Sequence, residues 1–129
     1  MRIAIAAEAD PAEPRVAGTP ETVKKLKALG AEVTVARGAG LASGILDADY
    51  EAAGASIGDN VTKDADVVLK VRRPGASELA AYRRGTLVIA IMDPYGNEAA
   101  LKQMADAGIV AFAMELMRSE EHTSELPVT

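Results

Sequence analysis

Arg15 and Lys70 are the two side chains whose type and position could do chemistry. Arg15 stands between Pro14 and Val16, just after the first apolar run. A guanidinium at such a strand exit could hold a carboxylate or phosphate through two parallel hydrogen bonds, although composition alone reads it as an exposed surface arginine. Lys70 lies inside Val67-Val-Leu-Lys-Val71. A strand covered on both faces should be apolar there, so this lysine either reaches the sheet edge or points into a cleft with an anionic partner. Arg72 and Arg73, before Pro74, read as a solvated strand end. Asp93 and Glu115 are isolated acids that no spacing pairs into an acid–base couple. The chain has no cysteine and one histidine, His122. Thiolate chemistry, nucleophilic triads and Cys- or His-ligated zinc are therefore not expected, and the residues offer no catalytic group and no metal site.

Gly38-Ala-Gly40-Leu-Ala-Ser43-Gly44, after a strand, invites comparison with a dinucleotide fingerprint. That fingerprint needs a third glycine three positions after the second, where this chain has Ser43. It also needs a helix opening at the glycines and an acid ending the next strand about 20 residues on. Here the helix begins only near Asp47, and the next strand ends near Ile57 without that acid. A turn requiring positive φ explains these glycines better.

The elements that must carry these residues follow one grammar. Arg2-Ile-Ala-Ile-Ala6 suits a buried strand, and Thr19-Pro20-Glu21 supplies a cap, a first-turn proline and an acid for a helix. Val23, Leu26 and Leu29 lie at helical spacing, Gly30 closes that helix, and Glu32-Val-Thr-Val-Ala36 follows as a strand. The pattern recurs with a helix from Asp47 to Gly54 before Ala55-Ser-Ile57, and a helix from Asn97 to Ala107 before Ile109-Val-Ala-Phe-Ala113. Asp66 to Arg72 and Thr86 to Met92 are two more strands, separated by a helix near Ser77 to Arg83. Aliphatic strands alternating with capped helices predict a doubly wound α/β domain: a mostly parallel sheet of five or six strands with helices on both faces, in three layers. Ligands of such sheets sit beyond the carboxyl ends of the strands, which selects the Arg15 loop, the Arg37 to Gly40 turn, Lys70 to Pro74 and Asp93 to Gly96.

The 129 residues carry 14 basic and 19 acidic side chains, a formal charge of −5. That balance argues against nucleic acid as a partner, because phosphate binding needs clustered positive charge. Hydrophobic residues make up 49% but aromatics only 3%, so the core must be aliphatic. The longest apolar runs, Leu87 to Met92 and Ile109 to Met114, fall far short of the ~20 residues that span a bilayer. No secretory signal opens the chain, and the reading is of a soluble, cytoplasmic domain with no membrane span in this segment. Arg118 to Thr129 breaks with the composition before it and resembles the translation of a widely used short-read sequencing adapter. Residues 1–117 are accordingly taken as the natural, incomplete domain and 118–129 as a non-native tail, which would make His122 non-biological.

Arg2-Ile-Ala-Ile, Arg15-Val-Ala-Gly-Thr-Pro20, Gly38-Ala-Gly40, Ala53-Gly-Ala55, Asp66-Val-Val-Leu-Lys-Val71 and Ala113-Met-Glu-Leu-Met117 recur in a familiar order. Over residues 1–117 the chain resembles the N-terminal domain shared by alanine dehydrogenase and the α subunit of the proton-translocating NAD(P) transhydrogenase. Lys70-Val-Arg-Arg-Pro74 and Ala111-Phe-Ala-Met-Glu-Leu-Met117 resemble the transhydrogenase versions of their segments. Alanine dehydrogenases carry a catalytic histidine where this chain has Asp93, and a carboxylate is no simple substitute for an imidazole. By resemblance, Arg15 and Lys70 match the pair that grips the substrate carboxylate and carbonyl in alanine dehydrogenases. For a complete protein the likeness implies NAD on this subunit and NADP on a partner β subunit with membrane domains. It also implies a second α subunit, and a position at the cytoplasmic face of the bacterial inner membrane. Hydride would pass directly between the two nucleotides, coupled to proton movement. The nucleotide-binding segments of that family lie beyond Met117, so the expectation for this fragment is no bound cofactor and no activity of its own. Two alternatives stand beside it: an alanine dehydrogenase-like oxidoreductase fragment, and a stand-alone module that binds a small carboxylate or a partner protein.

Overall fold

The computed structural model describes residues 1–9, 12–91 and 98–113. Among these residues six strands run β1 (Arg2–Ile5), β2 (Glu32–Ala36), β3 (Ser56–Gly58), β4 (Val67–Arg72), β5 (Leu87–Ile91) and β6 (Val110–Ala113). Between them lie α1 (Pro20–Ala28), α2 (Asp47–Ala52), α3 (Ala76–Leu79) and α4 (Glu98–Asp106), with a short 3-10 turn at Leu41–Ser43. The strands form one sheet in the order β3-β2-β1-β4-β5-β6, and every pairing is parallel.

Side-chain alternation along each strand divides the core in two. Ala4 and Ala6 face one cluster with Val68, Val88, Ala90, Leu79 of α3 and Met104 of α4. Ile5 faces the other with Val33, Val35, Val23 of α1 and Tyr50 of α2. Helices therefore cover both faces, the three-layer arrangement that the strand–helix alternation predicts. Full burial of Val23 or Met104 contributes about 1.5–3 kcal/mol each, so one such residue per helix goes far toward holding it in place.

The ends of the helices explain where sequence spacing and structure part. Thr19 caps α1 by accepting the Thr22 N–H, with Pro20 in the first turn. The expected continuation of the apolar face to Leu29 fails: α1 stops at Ala28, Leu29 sits at the cap and is 83% exposed. Gly30 then adopts φ +95°, letting the Ala31 N–H return to the Leu26 carbonyl. The helix expected over Ser77 to Arg83 is also shorter. After Leu79 the chain makes three-residue turns, Ala81 N–H to Glu78 and Tyr82 N–H to Leu79, before Gly85 reverses it at φ +87°. Among the described residues the outer strand β6 pairs only with β5 and leaves Val110 and Phe112 exposed.

Candidate functional site: the crevice between β1 and β4

In this sheet the chain runs outward from β1 through β2 to β3, then returns to β1's other side with β4. The reversal makes the carboxyl ends of β1 and β4 a topological switch point, the position where doubly wound sheets hold ligands. Both candidate residues lie there. Arg15 comes from the loop leaving β1, and Lys70 from the second half of β4.

Lys70 is 1% exposed. Its Nζ lies 2.9 Å from Glu78 Oε2 and 3.4 Å from Glu8 Oε1, and the Glu8 side chain is itself nearly sealed. A buried ammonium is tolerated only with such partners, and β4 lies inside the sheet, so Lys70 is not at a sheet edge and finds its anionic neighbours within its own chain. Glu8 does more than balance charge. Its two oxygens accept the backbone N–H groups of Val71 and Arg72 at 2.9 and 3.0 Å, clasping the end of β4 to the loop that leaves β1.

Glu13 is the second organiser. One oxygen accepts Arg15 Nη2 at 2.8 Å and Arg72 Nε at 2.9 Å. The other accepts Arg15 Nε at 2.9 Å and the Arg15 backbone N–H at 3.0 Å. The Arg15 side-chain hydrogen bonds, then its backbone N–H, then the bond from Arg72 outweigh desolvation and hold the Glu13 carboxyl down at about 2. Arg15 is thus no isolated surface arginine, although its side chain remains 61% exposed. Arg72, expected as a solvated strand end, keeps half its surface in water but is anchored on Glu13.

Sequence reasoning named the two cations and missed the three acids, Glu8, Glu13 and Glu78. A readable signal existed: a lysine inside a covered strand demands counter-charges, and Glu8 and Glu13 flank the loop that must pass over it. Asp93, Glu115 and the tail with His122 lie outside the described residues. Among the described residues no cluster of three or more His, Cys, Asp or Glu could hold a metal ion, and no helix is long and apolar enough to cross a membrane.

The glycine turn does not fit a nucleotide pyrophosphate. Gly38 adopts φ +74°, and its N–H, which a phosphate would need, donates to Asp47 Oδ1 at 2.9 Å. A Cβ on Gly40 would stand 2.8 Å from Ile45 Cβ and 2.9 Å from the Tyr50 ring, so this glycine is there for close packing. The helix that follows opens with Asp47 and Asp49, acids that repel a phosphate. Tyr50 then reaches back to donate its hydroxyl to the Gly18 carbonyl at 2.7 Å, and Ser43 donates to Pro14, so the turn braces the loop that carries Arg15.

Known proteins share both this fold and much of this sequence. The family model described as alanine dehydrogenase/PNT, N-terminal domain, matches residues 4–128. An NAD(P) transhydrogenase subunit alpha of Rhodospirillum rubrum is 41% identical over 125 residues, covering 91% of this chain and 33% of that protein. The alanine dehydrogenase of Mycobacterium tuberculosis is 36% identical over 124 residues, with 94% and 33% covered. Among solved structures, a transhydrogenase from Sinorhizobium meliloti superposes with a TM-score of 0.88 at 59% identity, over 90% of this chain and 35% of that one. An L-alanine dehydrogenase superposes with a TM-score of 0.82 at 26% identity, over 88% and 32%. The chain therefore spans about a third of the length of the curated relatives it matches.

Proposed function

The chain belongs to the alanine dehydrogenase/PNT N-terminal domain family, and from that premise we propose that it is the N-terminal segment of an NAD(P) transhydrogenase α subunit. The observation that carries this reading is the 59% identity to the Sinorhizobium meliloti transhydrogenase, against 26% to the L-alanine dehydrogenase of similar fold. Lys70-Val-Arg-Arg-Pro74, with its second arginine, supports the same side. The complete enzyme transfers hydride between NAD(H) on this subunit and NADP(H) on a β partner. It works with a second α subunit at the cytoplasmic face of a bacterial inner membrane and couples the transfer to proton movement.

Within that enzyme, residues 1–117 supply a wall and a charged rim. Arg15 and Lys70 form the rim of the inherited substrate cleft, each already answered by a carboxylate of its own chain. No step through a nucleotide is assigned to these residues, because the glycine turn is spent on internal packing. The segment alone binds no NAD and transfers no hydride, and residues 118–129 are adapter-derived. Titrating the 129-residue chain with NADH and following the nucleotide's fluorescence is the direct test; saturable binding would overturn the reading. Sequencing the locus past codon 117 tests the tail, since a frame that ends at Thr129 would favour a stand-alone module.

The presence of both Arg15 and Lys70 keeps an alanine dehydrogenase-like parent as the second reading. The complete gene product separates the two. NADPH-dependent reduction of an NAD analogue supports the transhydrogenase, and alanine-dependent formation of NADH supports the dehydrogenase.

A further inference from the structure

β6 presents an edge that the proposed function does not use. Among the described residues its outer side is unpaired, and its first three residues are exposed, Val110 at 57% and Phe112 at 41%. Parallel pairing with β5 fixes which backbone groups look outward. The Val110 N–H donates to the Thr86 carbonyl at 2.9 Å, so Val110 and, two residues on, Phe112 turn their backbone groups toward β5. Ala111 and Ala113 turn theirs the other way, offering N–H and C=O to a further strand.

Native sheets guard such edges with charges, proline or very short strands. The opposite edge is guarded: β3 has three residues and is followed by Asp59. Gly108 to Ala113 contains no charged residue and no proline. Leu87 and Ile89 of β5, which pair with Val110 and Phe112 on the same face, are only half-buried, so the apolar strip continues inward from the edge.

What fits this edge is a strand equally free of charge, because an ionic side chain opposite Val110 or Phe112 would lose water without gaining a partner. A second copy supplies one in matching register. A two-fold axis through Ala111 sets two β6 strands antiparallel, with Ala111 exchanging both hydrogen bonds with its counterpart. Val110 of each copy then lies opposite Phe112 of the other, a β-branched and aromatic pair of the kind that stabilises sheets. The charges agree with this arrangement. Each chain carries −5, yet the strip itself is neutral. Arg84 packs beside Gly108 at the start of β6, and antiparallel strands keep the two Arg84 side chains at opposite ends.

We propose, independently of the transhydrogenase reading, that β6 is a self-association edge: two copies of this chain pair antiparallel through Val110–Ala113 and join their sheets into one. A four-residue strand pair falls below the roughly 1,200 Å² of durable interfaces, so the dimer is weak.

Sedimentation equilibrium of the full chain tests this. The mean mass should rise from one chain toward two between about 10 µM and 1 mM, the range of a weak complex, and the amide signals of Ala111 and Ala113 should move with it. Phe112→Lys and Val110→Lys, both at exposed positions, should each weaken association roughly ten-fold by placing an unpaired charge on the edge. Leu29→Lys, exposed at the end of α1, should leave it unchanged. The amide spectrum reports whether each variant is folded, and either edge variant alone suffices. A single-chain mass at the highest concentration, as for an edge covered by the rest of the chain, overturns the proposal. So does unweakened association in a folded Phe112→Lys or Val110→Lys, or an equal loss in Leu29→Lys.

Discussion

Glu13 and Arg15 meet face to face, carboxylate against guanidinium, through contacts of 2.8 and 2.9 Å, and the Arg15 backbone N–H adds a third at 3.0 Å. The acid is sealed from water while most of its partner is not. The arginine that sequence offers to an outside anion is therefore held first by its own chain, and any ligand at the rim must share it.

Glu13 sits at about 2 in the folded chain against an ordinary value of 4.5. A depressed carboxylate contributes stability that is present above 4.5 and is lost as pH falls toward 2. Glu13→Gln should lower the urea midpoint at pH 7, and the gap to the parent should narrow steadily between pH 4.5 and 2. An unchanged gap across that window would show that the charge is not what matters.

Removing the Lys70 ammonium leaves Glu8 and Glu78 buried or half-buried without their cation. Lys70→Ala should cost about 3–5 kcal/mol of unfolding free energy, the usual consequence of breaking a buried pair from one side. Lys70→Met combined with Glu78→Gln should recover part of that loss, with Glu8 kept because both its oxygens accept backbone N–H groups. Urea denaturation of the three proteins checks both parts, and a loss below about 1 kcal/mol in Lys70→Ala would mean water reaches the site.

Gly40 and Gly44 separate packing from backbone conformation. Gly40→Ala meets Ile45 and the Tyr50 ring at under 3 Å, whereas a methyl on Gly44, at φ +78°, meets nothing within 4 Å. Gly44→Ala should cost only the left-handed penalty of about 1–2 kcal/mol. Gly40→Ala should cost more and shift the Tyr50 ring signals. Equal costs in thermal melts would argue that the turn can relax around Gly40.

Tyr50→Phe removes the bond from α2 to the Gly18 carbonyl, leaving that carbonyl without its buried donor. The expected loss is about 1–2 kcal/mol, with faster amide exchange in the loop that carries Arg15. Unaltered exchange there would mean the Ser43 bond to Pro14 is brace enough.

How far the chain could be read in advance depends on what each feature rests on. β2 was legible to the residue, because Glu32 to Ala36 alternates and is bracketed by Gly30 and Arg37. The cap of α1 was legible because Thr19 and Pro20 act locally. The order of the sheet was not, since nothing near β4 in sequence says on which side of β1 it will pair; that is settled by the packing of two helix layers. Within the site, Lys70 stood out as a charge in an apolar run. Glu8, Glu13 and Glu78 did not, because acids in polar loops read as solvent-facing until tertiary contacts bury them.

The central place of β1 has a consequence for how the chain is made. Ile3 pairs with Val33 on one side and with Val67 on the other, so β1, made before the other five described strands, is completed by β4. At about 5–20 residues per second, a ribosome needs roughly 3 to 13 seconds to travel between those two ends of the pairing. During that interval Ile3, Ala4 and Ile5 have one neighbouring strand at most, and the other edge of β1 is open to chaperones or to a second nascent chain. The clasp of Glu8 on Val71 and Arg72 closes that interval, since it can form only once β4 has left the exit tunnel.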